Sequence, residues 1–194
     1  MIDLNKIKTL REKTGAGISE CREALDVAND DLTKAESWLK EHGISKASKK
    51  ADRQTSQGVV ESYVHGAGKI GVLVEVNCET DFVARNEEFK ELAKDIAMHI
   101  SAMSPKFLSP ESVPEEMLEK EREIWTEQLK NEGKPAEIMA KIMNGKEKKF
   151  KEEISLLTQP FVKNPDLTIR ELITEKIGKI GENIQLGDFF RFEL

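Results

Sequence analysis

Few stretches of this sequence combine residue types and spacing in a way that could do chemistry, and each has a plainer alternative. Gly66-Ala67-Gly68-Lys69-Ile70-Gly71 has the G-x-G-x-x-G spacing of a nucleotide fingerprint. That fingerprint works where a strand passes into a helix, whose first backbone amides receive a pyrophosphate. Here Val72-Leu73-Val74-Glu75-Val76 follows and reads as a strand, so the glycines read as a hairpin tip. Lys69 is followed by Ile70 rather than Ser or Thr, which excludes a Walker A loop. His42, His65 and His99 are too scattered for a metal site, and no Ser or Cys has a recognisable base nearby. Cys21 and Cys78 lack metal-ligand spacing and read as small buried apolar residues. The Lys and Glu run over residues 146–153 reads as a solvated helix face. No catalytic pair stands out, and no metal or cofactor is expected. The chain reads as a protein-binding factor rather than an enzyme.

The stretch Glu79-Thr80-Asp81-Phe82-Val83-Ala84-Arg85-Asn86 differs from these. It joins a strand to a helix and sets Phe82 beside Asp81 near the helix start. Asp81 or Asn86 can serve as N-cap, and Phe82 can pack beneath the helix as a hydrophobic staple. An aromatic held out on a rigid turn beside a charge is equally a wedge for a partner's surface. The residues by themselves leave both readings open.

The elements that must position this stretch follow from periodicity. Residues 1–43 read as a small helical unit. Ile2, Leu4, Ile7 and Leu10 share one helical face, and Thr14-Gly15-Ala16-Gly17 breaks it. Ser19 can cap a second helix carrying Cys21, Ala24, Leu25 and Ala28. Asn29-Asp30-Asp31 punctuates again, and a third helix with Leu32, Ala35, Trp38 and Leu39 is expected to stop at Gly43. So small an apolar core suits a docking module. Residues 44–57, with Lys46, Lys49, Lys50 and Arg53, read as a basic, solvated linker. Residues 58–194 read as an α+β core. Val59, Val60, Tyr63 and Val64 begin a hairpin whose second strand spans 70–76. An amphipathic helix with Phe89, Leu92, Ala93, Ile96, Ile100 and Met103 follows. Further helices are predicted over 115–131 and 135–157, with Pro135 at the first helical position and Gly145 weakening the middle of the second. Thr168 and Glu171 suit a capping box for a helix to about Gly181. The Phe-rich end, 184–194, is predicted to join the hairpin as a third antiparallel strand.

Composition bounds the function. The 194 residues are 38% apolar and 34% charged, enough for a packed core under a charged surface. With 30 Lys and Arg against 36 Asp and Glu, the formal charge is −6, which disfavours nucleic acid as the main partner. Two cysteines and no apolar run long enough for a signal peptide or a membrane span give an expectation of a reduced, cytoplasmic protein.

Glu75-Val76-Asn77-Cys78-Glu79-Thr80-Asp81-Phe82-Val83-Ala84-Arg85-Asn86 resembles the signature of the bacterial elongation factor Ts family. So do Leu10-Arg11-Glu12-Lys13-Thr14-Gly15-Ala16-Gly17-Ile18 with Cys21-Arg22-Glu23-Ala24-Leu25, and the later Gln159-Pro160-Phe161-Val162 and Arg191-Phe192-Glu193. The resemblance spans nearly the whole chain with its motifs in order. It implies an N-terminal three-helix module like ubiquitin-associated domains, a linker, and an antiparallel three-stranded sheet packed with helices.

The resemblance also implies a function: guanine-nucleotide exchange on elongation factor Tu. The module would dock on that GTPase through Lys8, Arg11, Thr14, Gly15 and Ile18. Thr80, Asp81, Phe82 and Val83 would be pushed against its switch-side helices, displacing Mg²⁺ and loosening GDP. Phe82 would be the wedge, with Asp81 orienting the tip or repelling negative charge. Contacts of the C-terminal half with domain 3 of elongation factor Tu are implied without assignment to residues. The sequence lacks the extended coiled-coil insertion and full second core subdomain of longer members. Short members pair through the sheet, so a homodimer binding two elongation factor Tu molecules is expected, with the Phe-rich final strand either at that interface or in the monomer core. The alternatives are an RNA-binding translation accessory protein using residues 46–53, and an adaptor working through residues 1–43 alone.

Overall fold

A computed structural model of the chain describes residues 4–132 and 135–194, the side chains of residues 136 and 137 excepted. Ile2, expected on the first apolar stripe, lies outside the described residues. Helices α1 (Leu4–Thr14), α2 (Ile18–Val27) and α3 (Leu32–Ser48) meet over one small core. Ile7, Leu10, Cys21, Ala24, Leu25, Ala28 and Ala35 are buried together, with Ala16, Leu32, Trp38 and Leu39 packed against them. Alanines and a cysteine fill much of this core, so the short helices can approach closely although each carries little apolar area.

The helix ends correct the sequence reading in two places. The cap of α2 is Gly17 rather than Ser19, because the Glu20 carboxylate reaches back to the Gly17 amide (3.2 Å) and Ser19 is already helical. Nor does Gly43 end α3. Gly43 is not among the glycines with positive φ, so it forms no left-handed C-cap, and the helix continues to Ser48. The Asn29-Asp30-Asp31 break holds: Asn29 and Asp30 take φ of 51° and 62°, and Asp31 Oδ1 accepts the Lys34 amide at 3.1 Å.

Strands β1 (Gln57–His65) and β2 (Ile70–Cys78) form the expected hairpin. Gly66, Ala67 and Gly68 at its tip all have positive φ, which explains two glycines there without any phosphate. A four-residue helix α4 (Asp81–Ala84) and the long α5 (Glu87–Met103) follow, then α6 (Glu115–Asn131) and α7 (Ala136–Ile154). Next come a small hairpin of β3 (Pro160–Phe161) and β4 (Asn164–Thr168), helix α8 (Ile169–Ile180) and the final strand β5 (Ile184–Glu193). The main sheet is antiparallel with order β1-β2-β5. Val72, Val74, Val76 and Cys78 of β2 are buried while Leu73 between them is exposed, the alternation of a half-covered sheet. On α5, Phe89, Leu92, Ala93, Ile96, Ala97 and Ile100 are buried at helical spacing. Pro135 is the N-cap of α7 rather than its first helical residue, with an extended ψ of 145°, and the helix runs unbroken through Gly145.

The chain divides into two compact units. The first holds residues 4–62, 73–95 and 171–189; the second holds the described residues of 63–72, 96–170 and 190–194. In the second, α6 and α7 pack with Trp125 edge-on to Phe150 (5.7 Å between centroids), and Arg122 joins Glu115 and Glu147. The β3–β4 hairpin was not foreseen, since a two-residue strand beginning with proline has no period to read. His99 holds it: the Val162 amide donates to Nδ1 at 3.2 Å, so Nε2 carries the hydrogen that goes to Gln159 Oε1 at 3.1 Å.

Burial pushes the His99 pKa below its ordinary 6.5, against a smaller opposing effect of the Gln159 bond. The unfolded chain therefore takes up this proton first. His99 contributes full stability above pH 6.5 and loses it as pH falls from there toward the folded pKa. The urea midpoint of the wild type is expected to drop between about pH 7.5 and 5.5, and that of His99→Gln to drop less over the same range. Equal slopes for the two chains would remove His99 as the source.

Candidate functional site

At the end of β2 the chain turns through Glu79 into α4, and Thr80 rather than Asp81 caps that helix. Thr80 Oγ1 accepts the Val83 amide at 3.4 Å, while Asp81 stands in the first helical turn and pairs with Arg85 at 3.1 Å. A threonine cap leaves the acidic residue one position inside, where its charge favours the helix N-terminus. Asn86 does act as a cap, for α5, its Oδ1 accepting the Glu88 amide at 2.8 Å. Ala84 is buried and Val83 half-buried, but Phe82 is 82% exposed. The staple reading therefore fails: a staple would be covered by the helix that follows it. A shallow hollow beside the ring is lined by Ser56, Gln57, Glu79, Thr80, Asp81 and Arg85.

The backbone below Phe82 is tied down by residues about a hundred positions later, in the turn between α8 and β5. Glu182 Oε2 accepts the Glu79 and Thr80 amides at 3.1 and 3.0 Å, and its Oε1 accepts the Thr80 hydroxyl at 2.7 Å. The Asn183 amide donates to Glu79 Oε1 at 2.7 Å. Its side chain is buried and donates to the carbonyls of Ala51 and Arg53 at 3.2 and 2.8 Å. Burial pushes the Cys78 thiol pKa up, and the Glu182 charge adds to this, so the thiol stays protonated and donates to the Thr80 carbonyl at 3.2 Å. Glu182 and Asn183 were not singled out from sequence. Their only local mark is a polar pair after Gly181, and such pairs are ordinary in turns.

The same bonds revise residues 44–57. Lys46 pairs with Glu20, Lys50 donates to the Gly181 carbonyl, and Arg53 meets Glu79 at 3.5 Å. This stretch begins as the end of α3 and continues as an exposed strap, three of whose four cations are engaged within the chain.

The other predicted residues lie on α1 and the turn after it, in the same unit. Leu4, Lys8 and Arg11 are exposed at positions i, i+4 and i+7, one stripe of the helix. Ile18 is exposed as well, at the start of α2. Thr14 is half-buried and donates its hydroxyl to the Leu10 carbonyl at 2.7 Å, a structural contact. Gly15 ends α1 at φ +68°, its amide on the Arg11 carbonyl at 2.8 Å. A Cβ there would stand 2.4 Å from Lys179 Cε, the movable end of a side chain, so it is the left-handed conformation that calls for glycine. Lys179 and Lys176 both bond Glu88 Oε1, at 2.6 and 2.8 Å. Burial of Glu88 acts to raise its pKa, but these two lysines outweigh it and hold the carboxyl below the usual range. Among the described residues, no three or more His, Cys, Asp or Glu side chains group as a metal site. Among the same residues, no helix is long and apolar enough to cross a membrane.

A family model described as Elongation factor TS matches residues 28–194, and one described as Elongation factor Ts, mitochondrial, N-terminal matches residues 2–47. A protein named Elongation factor Ts from Carboxydothermus hydrogenoformans is 55% identical over 194 residues, 100% of this chain and 89% of its own length. One of the same name from Heliobacterium modesticaldum is 52% identical over 194 residues, covering 100% and 90%. Another, from Thermosipho melanesiensis, is 52% identical over 192 residues, covering 99% and 98%.

The exposure of Phe82 has a direct consequence for stability. Phe82→Ala is expected to change the unfolding free energy by less than about 0.5 kcal/mol, whereas Phe89→Ala, which empties a buried site, costs ~3–5 kcal/mol. Chemical denaturation of the two variants checks this; a loss above roughly 1 kcal/mol for Phe82→Ala would reinstate the staple.

Proposed function

The chain belongs to the elongation factor Ts family, and from that premise we propose that it is a cytoplasmic guanine-nucleotide exchange factor for elongation factor Tu. The observation that carries this reading is the large exposed ring of Phe82 on a backbone anchored by Glu182 and Asn183. An aromatic side chain costs little stability to expose singly but little entropy to bury in a partner, so it suits a wedge.

A GTPase grips its nucleotide through backbone amides, a lysine and a Mg²⁺ ion bridging phosphate oxygens. The factor needs no bond to the nucleotide. It must bind the empty, distorted GTPase better than the loaded one. Phe82 enters an apolar crevice of the switch-side helices, and Thr80, Asp81 and Val83 move with it as one turn, so that the Mg²⁺ site is disturbed and GDP leaves. By linkage GDP weakens the factor's hold to the same extent, and incoming GTP releases it. The chain makes and breaks no covalent bond. Lys8, Arg11, Gly15 and Ile18 form the anchoring surface of a docking module over residues 1–43, with Thr14 shaping its turn. The Asp81–Arg85 pair leaves the orienting role for Asp81 rather than a free negative charge.

Residues 58–194 serve as core and dimerisation domain. Within the second unit, Arg191 donates to the Ser101 carbonyl of α5 at 3.2 Å, so Phe190 and Phe192 on either side of it face the opposite way. Both are exposed, as is Val64 on β1. A second copy of the chain covering this face would give a homodimer and a 2:2 complex with elongation factor Tu. The engaged state of Lys46, Lys50 and Arg53 gives the RNA-binding alternative no support.

Release of fluorescent GDP from elongation factor Tu in excess Mg²⁺ tests the reading. Wild-type chain is expected to accelerate release at sub-stoichiometric concentration. Phe82→Ala should lower the maximal rate at least ~10-fold with little change in the concentration for half effect, and Arg11→Ala should do the reverse. Wild-type exchange by Phe82→Ala would discard the wedge. Sedimentation of Phe192→Asp should show a monomer where the wild type is a dimer; a wild type that sediments as a monomer would discard the dimer.

A further inference from the structure

We infer that Glu182 is a positioning residue for exchange, acting through Thr80 to fix the direction in which Phe82 points; this rests on the wedge reading proposed above. The geometry is a relay. The Thr80 hydroxyl has one hydrogen, and the 2.7 Å approach of Glu182 Oε1 takes it. Its lone pairs then face the Val83 amide, the donor it accepts at 3.4 Å. The carboxylate thereby orients the hydroxyl that caps α4, and α4 is only the four residues Asp81–Ala84, with Phe82 second. So short a helix has no cooperativity to hold itself, and its first turn depends on the cap. The other carboxylate oxygen takes the Glu79 and Thr80 amides, the last two backbone donors before the helix begins. Three donors converge on one ionised group, each a charge-assisted bond stronger than a neutral one.

The arrangement is directional. Without Glu182 the Glu79 and Thr80 amides lose their acceptor, and the Thr80 hydroxyl is free to turn its hydrogen toward the Val83 amide, which cannot accept it. The exposed ring gains nothing by packing and has no contact of its own to restore its aim. The other ties to this turn do not replace the carboxylate. The Asn183 amide holds the Glu79 side chain, and the Cys78 thiol holds the Thr80 carbonyl, so the backbone stays attached while the cap is lost. The expected loss is therefore in the maximal exchange rate rather than in binding of the GTPase.

The test uses full-length chain, elongation factor Tu loaded with fluorescent GDP, and a range of chain concentrations. Glu182→Ala is expected to lower the maximal release rate about tenfold, with the half-saturating concentration within about twofold of wild type. Glu182→Gln should fall between the two, since its one carbonyl oxygen can still take the two amides. Thr80→Val, which removes the α4 cap together with the relay but leaves Glu182 its two amides, should also lower the maximal rate, and Thr80→Ser should keep the wild-type rate. Wild-type maximal rates for Glu182→Ala or Thr80→Val, with Phe82→Ala still defective, would overturn the inference and leave the wedge standing. Wild-type exchange by Phe82→Ala would overturn the wedge itself. A raised half-saturating concentration at unchanged maximum would mark loss of folded chain and also overturn the positioning role. If Glu182→Ala melts below the assay temperature, Glu182→Gln takes its place, and a wild-type maximal rate for that variant would overturn the inference.

Discussion

A ring that stands in solvent can press on a partner only if the backbone under it does not yield, and the Glu182 carboxylate meets that condition here. It is the point where three donors of the β2–α4 turn converge, from about a hundred residues away in sequence. Local sequence favours a strand ending and a helix beginning, but two separate elements can meet at many angles. Fixing the angle takes a partner from outside the two. A carboxylate suits this task because it accepts several hydrogen bonds at once and has no hydrogen of its own to misplace.

The same C-terminal segment serves the rest of the first unit. Lys176 and Lys179 of α8 hold Glu88, which lies in the first turn of α5 just beyond the tip. Lys179 also passes close over Gly15, which ends α1. After α8, Gly181 receives Lys50, and Asn183 takes the carbonyls of the strap. One helix and the turn behind it therefore touch the docking module, the strap, the tip and the start of α5. Both the three-helix module and the tip are tied to this segment.

What was legible in the sequence follows the range of the forces involved. Helices α5 and α6, the glycine hairpin and the joining of β5 to the sheet were readable because periodicity and turn chemistry act between near neighbours. The end of α3 was misread at Gly43 because a glycine terminates a helix only when it adopts a left-handed conformation, which composition does not disclose. The strap is exposed, as its composition suggests, but the partners of Lys46, Lys50 and Arg53 are not legible there, because a run of lysines and an arginine looks the same whether or not carboxylates and carbonyls lie across from it. The tip is recognisable as a pattern, yet its residues alone leave Phe82 divided between staple and wedge and the cap divided between Asp81 and Asn86, of which Asn86 caps α5 while Thr80 caps α4. Burial decided the first and hydrogen-bond geometry the second. Glu182 was out of reach, since a bond across a hundred residues leaves no local trace.

The energy available to such a tip limits how the proposed exchange can work. Fully burying a phenylalanine side chain is worth ~1.5–3 kcal/mol, and by linkage that is the most it can subtract from the binding of GDP, roughly a ten- to hundredfold weakening. Disorder in the tip would reduce this further, because fixing the ring and its backbone on binding costs entropy of ~1 kcal/mol or more per residue. A tip of about four residues could lose all of its leverage in this way. Pre-ordering by Glu182 removes that cost before the encounter. The anchoring surface proposed on α1 would add affinity to loaded and empty GTPase alike, and so would raise occupancy without raising discrimination. In the proposed exchange the discriminating contact is the tip, and its stiffness rests on one carboxylate far away in sequence from the exposed ring of Phe82.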